Sequence, residues 1–537
     1  MSLQPLEKLP RHPLKIKRAL FSVSDKTNIA ELGYFLHKQG IEILSTGGTA
    51  EVLKKEDIPV TDVSDVTGFP ECLDGRVKTL HPNIHAGILA RTSYPPDQNQ
   101  LEELGITPIE LIVVNLYPFK ETIKKDRTLE VATEYIDIGG PTLIRAAAKN
   151  FAHVSVLTSP KQYDGFIQAY QKQRGIPFND RQKQARKAFN HTASYDSTIA
   201  NYFNRIQEQN SEANHKPEPD TINGMPDTLE INLSKSQGLR YGENPHQKAA
   251  VYGNQTDFID CFHGKQLSYN NFLDVDSALQ LMADFEHDDP TCAIFKHTVP
   301  CGVATDQQLS AAYRKAFATD TLSPFGGIII VNKRLDVDTA REIDRIFTEI
   351  IIAPEFADDA LTVLKEKKNR RLVRYKKLTD HQKIFAYRSI FGGALYQEKD
   401  SNNVDIHSFK VVSNRQPTSE EKENMIFAWK IVKHTKSNAI VYTRDRQTLG
   451  IGTGQTSRVE SSQIAIAKAK EEGLDLKASA VASDAFFPFA DGVEAAAKAG
   501  AACVIQPGGS IRDDEVIAKA NEYNMAMIFT GQRHFRH

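Results

Sequence analysis

From Arg18 onward the chain alternates short apolar runs with amphipathic stretches. Ala19–Val23 reads as a strand ending in Ser24-Asp25-Lys26, after which Ile29, Leu32 and Leu36 recur at helical spacing until Gly40. Ile41–Leu44 predicts a second strand, Ser45-Thr46-Gly47-Gly48-Thr49 a turn, and Ala50–Glu56 a helix. Leu111–Val114 predicts a third strand, running into Asn115-Leu116-Tyr117-Pro118. This alternation implies an α/β fold with a parallel sheet and functional loops at the carboxyl ends of its strands. Gln182–Phe203 reads as a helix, with Ala185, Ala188, Phe189 and Ile199 among its apolar positions. Gln207–Asp227 is polar, carries three prolines and reads as a linker. Beyond it, Ala293–Phe295, Gly327–Val331, Ala439–Tyr442, Ala478–Ala482 and Cys503–Ile505 predict further strands. The expected division is an extension over 1–17, a domain over 18–205, a linker over 206–230 and a region over 231–537 made of two α/β units in tandem. No short repeat period marks a solenoid.

Composition narrows the class. A length of 537 residues corresponds to about three to four domain-sized units. Lys+Arg number 66 against 68 Asp+Glu, a net charge of −2, so a bulk nucleic-acid coat is excluded and any anion must meet local cations. Cys72, Cys261, Cys292, Cys301 and Cys503 form no CxxC pair, which argues against a disulfide scaffold and a structural zinc site. No apolar run reaches the ~20 residues of a membrane span. Met1–Lys17 is polar, without the apolar core of a secretory signal, and reads as a flexible extension of a cytoplasmic protein.

Candidate chemistry gathers in polar loops. Ser45–Thr49 stands where a strand hands over to a helix, the setting in which free amides and the helix dipole hold a phosphate. Ser22-Val23-Ser24-Asp25-Lys26 and Arg76-Val77-Lys78-Thr79 add hydroxyls and cations, so the first domain is expected to bind an anionic small molecule. Asp137-Ile138-Gly139-Gly140-Pro141 precedes a helix carrying Arg145 and Lys149 on one face, which alone reads as a turn and a solvated basic face. Lys296-His297-Thr298-Val299-Pro300-Cys301-Gly302 follows an apolar strand. A Lys beside a His can keep the imidazole neutral, as a general base requires. A zinc deaminase would need His-x-Glu and Pro-Cys-x-x-Cys, which this segment lacks, so no metal is assigned. Gly450-Ile451-Gly452-Thr453-Gly454 looks like a nucleotide loop but fits neither the dinucleotide fingerprint nor the P-loop. Pro507-Gly508-Gly509-Ser510 follows a strand and suits an anion or a polar ring. Lys365–Arg371 with Arg374, Lys376 and Lys377 is a concentrated basic patch, read as a solvated helix face or a steering surface.

Taken in order, these motifs resemble the bifunctional purine-biosynthesis enzymes that join phosphoribosylaminoimidazolecarboxamide formyltransferase to inosinate (IMP) cyclohydrolase. The resemblance covers about residues 18–537. It rests on Phe21–Lys26, Thr46–Thr49, Gly75–Pro82, Asn115–Phe119, Asp137–Gly140, Arg145–Asn150, Leu239–Gln247, Lys296-His297, Ser483–Phe489 and Arg533–His537. It implies a methylglyoxal-synthase-like, doubly wound parallel sheet followed by two tandem cytidine-deaminase-like α/β units. The second region would move a formyl group from 10-formyltetrahydrofolate, a cosubstrate, to 5-aminoimidazole-4-carboxamide ribonucleotide. The first domain would close the product to inosinate with loss of water.

Residue by residue, the resemblance assigns cyclisation to Lys78, Tyr117, Asp137 and Lys149. The nucleotide of that reaction falls to Ser24, Asp25, Lys26, Thr46, Gly47, Gly48, Thr49, Arg76, Thr79 and Asn115. Formyl transfer falls to His297 as base, with Lys296 and Asn438. Arg240, Tyr241, Gly326, Glu349, Arg458, Phe486 and Arg533 would bind its nucleotide, and Val459, Asp491, Ser510 and Ile511 the folate. Partners are small molecules and a second copy, as a homodimer, with neither nucleic acid nor membrane. The competing reading is a monofunctional formyltransferase whose first domain only senses a nucleotide; a methylglyoxal-forming lyase is disfavoured by the large second region.

Overall fold

The computed structural model describes the chain except for residues 1–7, 71, 74–76, 126–127, 214–224, 226–228, 230, 232, 377, 379–384 and 401–408. It divides into two compact units, Met1–Asn232 and Leu233–His537.

In the first unit β1 (Arg18–Val23), β2 (Glu42–Ser45), β3 (Thr61–Asp62), β4 (Leu111–Asn115) and β5 (Ser155–Leu157) form one sheet in the order β3-β2-β1-β4-β5. Each adjacent pair is parallel. The central strands are unbroken apolar runs because both faces are covered. Leu20, Leu44, Ile112 and Val114 pack beneath Leu143, Ile144 and Ala147 of helix Gly139–Lys149. Ala19, Phe21, Ile43, Leu111 and Val113 pack on the other face against Ile29, Leu32, Leu36, Tyr163 and Phe166. The expected doubly wound sheet is present.

Two expectations at the ends of this unit need correction. The extension is seated over its described part: Leu14 and Ile16 are buried, and Leu14 exchanges backbone hydrogen bonds of 2.9 Å with Ile176. Its anchor is Arg181, 1% exposed, which donates to the carbonyls of Pro10 and His12 as well as those of Phe151, Ala152 and Ile176. Burial pushes this guanidinium down to about 10. The helix expected over Gln182–Phe203 runs from Phe178 to Ala213, so the chain stays helical past 205 and much of the expected linker lies outside the described residues.

The second unit begins with a two-stranded pair, β6 (Lys235–Gly238) and β7 (Ala250–Tyr252). Its main sheet contains β8 (Ile259–His263), β9 (Thr291–Lys296), β10 (Val299–Thr305), β11 (Ile328–Val331), β12 (Ile350–Ala353) and β13 (Arg371–Tyr375). After a separate hairpin of β14 (Phe385–Ile390) and β15 (Gly393–Glu398), the same sheet continues. It takes up β16 (Lys410–Val411), β17 (Ile440–Arg444), β18 (Gln447–Gly452), β19 (Ala480–Ser483), β20 (Cys503–Gln506) and β21 (Ala526–Phe529). Among the described residues the order is β16-β21-β20-β19-β17-β18-β10-β9-β11-β12-β13-β8.

Read outward from its centre, this sheet is the same arrangement twice. A hairpin, β9-β10 or β17-β18, leads outward to an antiparallel neighbour, two further parallel strands and an antiparallel edge. The helices match too. Tyr269–Ala283 and Ser419–Val432 each precede the hairpin and open with a capping box, on Ser268 and Thr418. The two α/β units are therefore halves of one continuous sheet, joined where β10 runs antiparallel to β18. Gly302 and Gly450, fourth in β10 and β18, allow the close approach of a following helix: a Cβ there would lie 1.9 Å from Ala316 O and 2.2 Å from Ala465 O. The Gly450-x-Gly run is thus strand packing in its first part, not a nucleotide loop.

The Arg181 anchor gives a direct test. Arg181→Met leaves buried carbonyls without donors and should cost about 3 kcal/mol of stability. Denaturant unfolding of the full chain measures it, and an unchanged midpoint would contradict the anchoring role.

Candidate functional sites

In the first unit the site lies where β1, β2 and β4 end. Asn115, the last residue of β4, accepts the Ser24 N–H at 2.7 Å and the Asp25 N–H at 2.8 Å, and donates to Asp25 O at 2.9 Å. Thr49 Oγ1 accepts from Val23 N–H and donates back to Val23 O. The second helix starts at Gly47, earlier than the sequence pattern shows, and Gly47 itself takes φ +46°, a turn conformation open to glycine. A Cβ on Gly47 would lie 2.9 Å from Lys78 Nζ, and one on Gly48 3.7 Å from Lys26 Nζ. Two ammonium groups thus converge on the positive end of a helix, an arrangement that an anion neutralises. The adjoining cleft, about 410 Å³, is lined by Thr46, Gly47, Ser64, Thr67, Lys78 and His81 among others.

Thr79 and Asp137 continue the same rim. Thr79 Oγ1 lies 3.2 Å from where a Gly139 Cβ would stand. Asp137 accepts the Gly140 N–H at 2.8 Å, and its own N–H donates to Tyr195 Oη at 2.8 Å. Burial raises its carboxyl above the usual carboxylate range, opposed by the amides of Gly140 and Tyr117. The Tyr117 ring is exposed, edge-on to Tyr135 at 6.3 Å. Lys26, Lys78, Tyr117 and Asp137 therefore share one rim, whereas Arg76 lies outside the described residues. Lys149 stands at the other end of the helix that Asp137 leads into. Asp137 precedes the first turn of helix Gly139–Lys149 and Lys149 ends its last, about 15 Å away along the axis. Beyond Lys149, Asn150 is tied to Ile88 O and Ala90 O at the far end of helix Pro82–Leu89. Arg145 rests over the Phe189 ring at 5.7 Å.

In the second unit the β9-β10 turn consists of His297 and Thr298, both left-handed at φ +53° and +67°. Two such residues make the hairpin turn whose twist fits the flanking strands. For a β-branched threonine that conformation is strained by about 1–3 kcal/mol. The turn is held from outside: Asp274 Oδ1, on helix Tyr269–Ala283, accepts the Thr298 N–H at 2.6 Å. Lys296 Nζ donates to Phe325 O at 3.0 Å. Lys296, His297, Thr453 and Lys468 line a cavity of about 180 Å³ with Cys301, whose thiol burial pushes up to about 12.

Strand directions decide which other candidates share this rim. Antiparallel pairing of β9 with β11 places Gly326 and Glu349, just before β11 and β12, at the His297 end of the sheet. Pairing through β18, β17 and β19 brings Asn438, before β17, to the same end, with Phe486 and Asp491 after β19, Ser510 and Ile511 after β20, and Arg533 after β21. Glu349 accepts from Arg371 at 3.0 Å and from Asn271 at 3.2 Å. Asn438 donates both its N–H and Nδ2 to Gln455 O, at 3.1 and 2.9 Å. Arg458 donates to Ser483 Oγ at 3.1 Å and pairs with the fully buried Asp484 at 3.0 Å, and Val459 follows it into helix Arg458–Glu471. Arg458 and Arg533 flank the Phe535 ring, and Arg240 lies 5.7 Å from the Tyr241 ring. In the first half of this unit Gly326 and Glu349 stand at the amino ends of β11 and β12.

The basic patch follows helix Asp358–Leu364 and is paired in part, while Lys365, Lys368 and Lys376 are exposed. Lys367 and Arg370 pair with Asp344 at 3.0 and 2.8 Å, Arg371 with Glu349, and Arg374 with Asp260 at 3.7 Å. Lys377 lies outside the described residues. Sequence reasoning missed Asp274 and Asn271, which carry no signature on an amphipathic helix and acquire meaning only against the folded hairpin.

Known proteins match this chain in sequence. The AICARFT/IMPCHase bienzyme family profile matches residues 147–468, and that of the MGS-like domain residues 28–142. A bifunctional purine biosynthesis protein PurH of Chloroflexus aurantiacus is 52% identical over 97% of this chain and 99% of its own length. Its namesakes from Caldicellulosiruptor bescii and Persephonella marina are 48% and 46% identical, each over 97% of this chain and 100% of their own.

Asn115 provides the local test in the first unit. Asn115→Ala removes three hydrogen bonds to the 24–25 loop, at about 1 kcal/mol each. Amide exchange at Ser24 and Asp25 should accelerate tenfold or more, by the same order-of-magnitude count. Unchanged protection would show that the loop holds its shape without Asn115.

Proposed function

Because the chain belongs to the AICARFT/IMPCHase bienzyme family, we infer how its residues share two reactions between its two units. The protein is an enzyme of purine biosynthesis with formyltransferase and IMP cyclohydrolase activities. The formyl donor in this reading is 10-formyltetrahydrofolate, and the acceptor is the 5-amino group of aminoimidazole carboxamide ribonucleotide.

That amine is conjugated with an electron-poor ring and needs a base. His297 takes its proton as the nitrogen bonds to the formyl carbon. Lys296 faces the oxyanion and Asn438 assists, until the bond to the folate nitrogen breaks and that nitrogen accepts a proton. Arg240, Tyr241, Gly326, Glu349, Arg458, Phe486 and Arg533 hold the nucleotide; Val459, Asp491, Ser510 and Ile511 hold the folate. The convergence of both halves' loops on the His297 rim supports this assignment.

In the first unit the carboxamide nitrogen attacks the formyl carbon and water leaves. Ser24, Lys26 and the Thr46–Thr49 turn hold the phosphoribosyl group, while Lys78, Tyr117 and Asp137 supply charge and move protons. The observation that carries this reading is the pair of lysines aimed at the amino end of helix Gly47–Lys55. A role for Lys149 at this site requires a second copy of the chain to supply it, which accords with a homodimer. All five cysteines are free, which suits a reducing cytoplasm, and no described helix is long and apolar enough to cross a membrane.

Chemically formylated intermediate, supplied without folate, tests both points. The intact protein should convert it to inosinate, and Lys78→Ala and Lys149→Ala should each abolish conversion. Mixing the two variants with subunit exchange should then restore about a quarter of the sites, since one site in each mixed dimer regains both lysines. No turnover by the intact protein would overturn the cyclohydrolase assignment; no restoration on mixing would place Lys149 outside a shared site.

A further inference from the structure

The duplicated sheet contains an internal control for the His297 turn. In the second half the corresponding turn is Asp445-Arg446, again left-handed at both residues, φ +51° and +52°. It too is held by the helix before the hairpin: Asn424 Oδ1 accepts the Arg446 N–H at 3.1 Å. Asp274 and Asn424 occupy the same place, each six residues after its capping-box residue, Ser268 or Thr418. A neutral amide therefore suffices to hold this kind of turn. At the turn that bears His297 the structure has a carboxylate instead, and its bond to the Thr298 N–H is the shorter, 2.6 Å.

The charge has something to act on. Asp274 is half-buried and interacts electrostatically with His297, Glu349 and Lys436; its burial raises its carboxyl, and the Thr298 amide, His297 and Lys436 oppose that. Around His297 stand Lys296 on its own strand, Asp274 on the preceding helix, Glu349 with its partner Arg371, Lys436 before β17, and the Lys468–Asp320 pair across the cavity. Lys296 and Lys468 line the cavity beside His297, and Lys436 interacts with Asp274. Glu349 is shared with Arg371, and Asp320 with Lys468 at 2.6 Å. Asp274 instead accepts its hydrogen bond from a backbone amide and, among the described residues, forms no ion pair within 4 Å.

We propose that Asp274 is a positioning residue for formyl transfer: it fixes the strained His297-Thr298 turn and supplies the negative charge that stabilises His297 when it takes the substrate proton. The proposal rests on His297 being the base. It divides the residue's work in two, hydrogen bond and charge, and Asn424 shows which substitution separates them.

Asp274→Asn should preserve the turn, as Asn424 does, and remove only the charge. Its kcat for formyl transfer should fall about tenfold or more, with KM for the nucleotide little changed and cyclisation of formylated intermediate intact. Without the carboxylate the protonated imidazole is less stable. More acid is then needed to titrate the base, and the acidic limb of the kcat profile should move to lower pH. Asp274→Ala should lose the hydrogen bond as well and lower the unfolding midpoint, whereas Asp274→Asn should not. Two outcomes overturn the proposal: Asp274→Asn with normal kcat and an unmoved profile, or the same loss with a matching fall in stability. His297→Ala separates this failure from that of the underlying assignment. If His297→Ala still transfers formyl, His297 is not the base; if it is inactive while Asp274→Asn is normal, only the role of Asp274 is lost.

Discussion

The second unit depends on one pairing: β10 and β18, the inner edges of two like half-sheets, meet antiparallel, with Ala304 opposite Gln447. Antiparallel contact turns the second half end for end. One rim therefore receives the first half's hairpin turn and the amino ends of its parallel strands, together with the carboxyl ends of the second half's. Neither half could assemble His297, Glu349, Asn438, Arg458 and Ser510 on one rim alone. The opposite rim receives the inverse set, and there the structure spends its charges internally. Arg446 pairs with Asp289 at 2.7 Å, and Lys315 with Asp306 at 2.7 Å.

Close packing holds this junction. At Gly302 and Gly450 a helix backbone presses onto each inner strand at distances that admit no side chain. Across the seam Thr448 Oγ1 meets the Val303 N–H at 2.9 Å and the Thr319 hydroxyl at 2.7 Å, all buried. These bonds satisfy polar groups inside a sheet that water does not reach. The first unit solves a simpler problem. Its sheet is wholly parallel, so every loop that follows a strand opens on the same rim, and the Lys26–Lys78 pair needs only the start of one helix as its frame.

These differences explain what could be read from the sequence. β1, β2 and β4 are apolar runs flanked by helical periodicity, and the phosphate-type turn after β2 was legible with them. The inner strands were not. Gly302 in β10, and Gly450 and Gly452 in β18, break the apolar pattern for a reason that lies in the neighbouring helix. The seating of residues 8–17 was equally hidden, since its anchor Arg181 lies 169 residues beyond His12. The candidate residues themselves were found through motif resemblance; their common rim, and the separation of Lys149 from Asp137, needed strand directions and helix length. Asp274 became visible only beside Asn424.

That the His297 turn, Gly326, Glu349, Arg458 and Arg533 share one nucleotide-binding rim is tested most directly by amide exchange of the full-length protein with and without aminoimidazole carboxamide ribonucleotide. The account predicts new protection at 296–298, 326–327, 349, 453–458, 483–491 and 533, and none at 444–447 or 332–335 on the opposite rim. Protection centred on the Asp445-Arg446 turn, with the His297 turn unchanged, would contradict it.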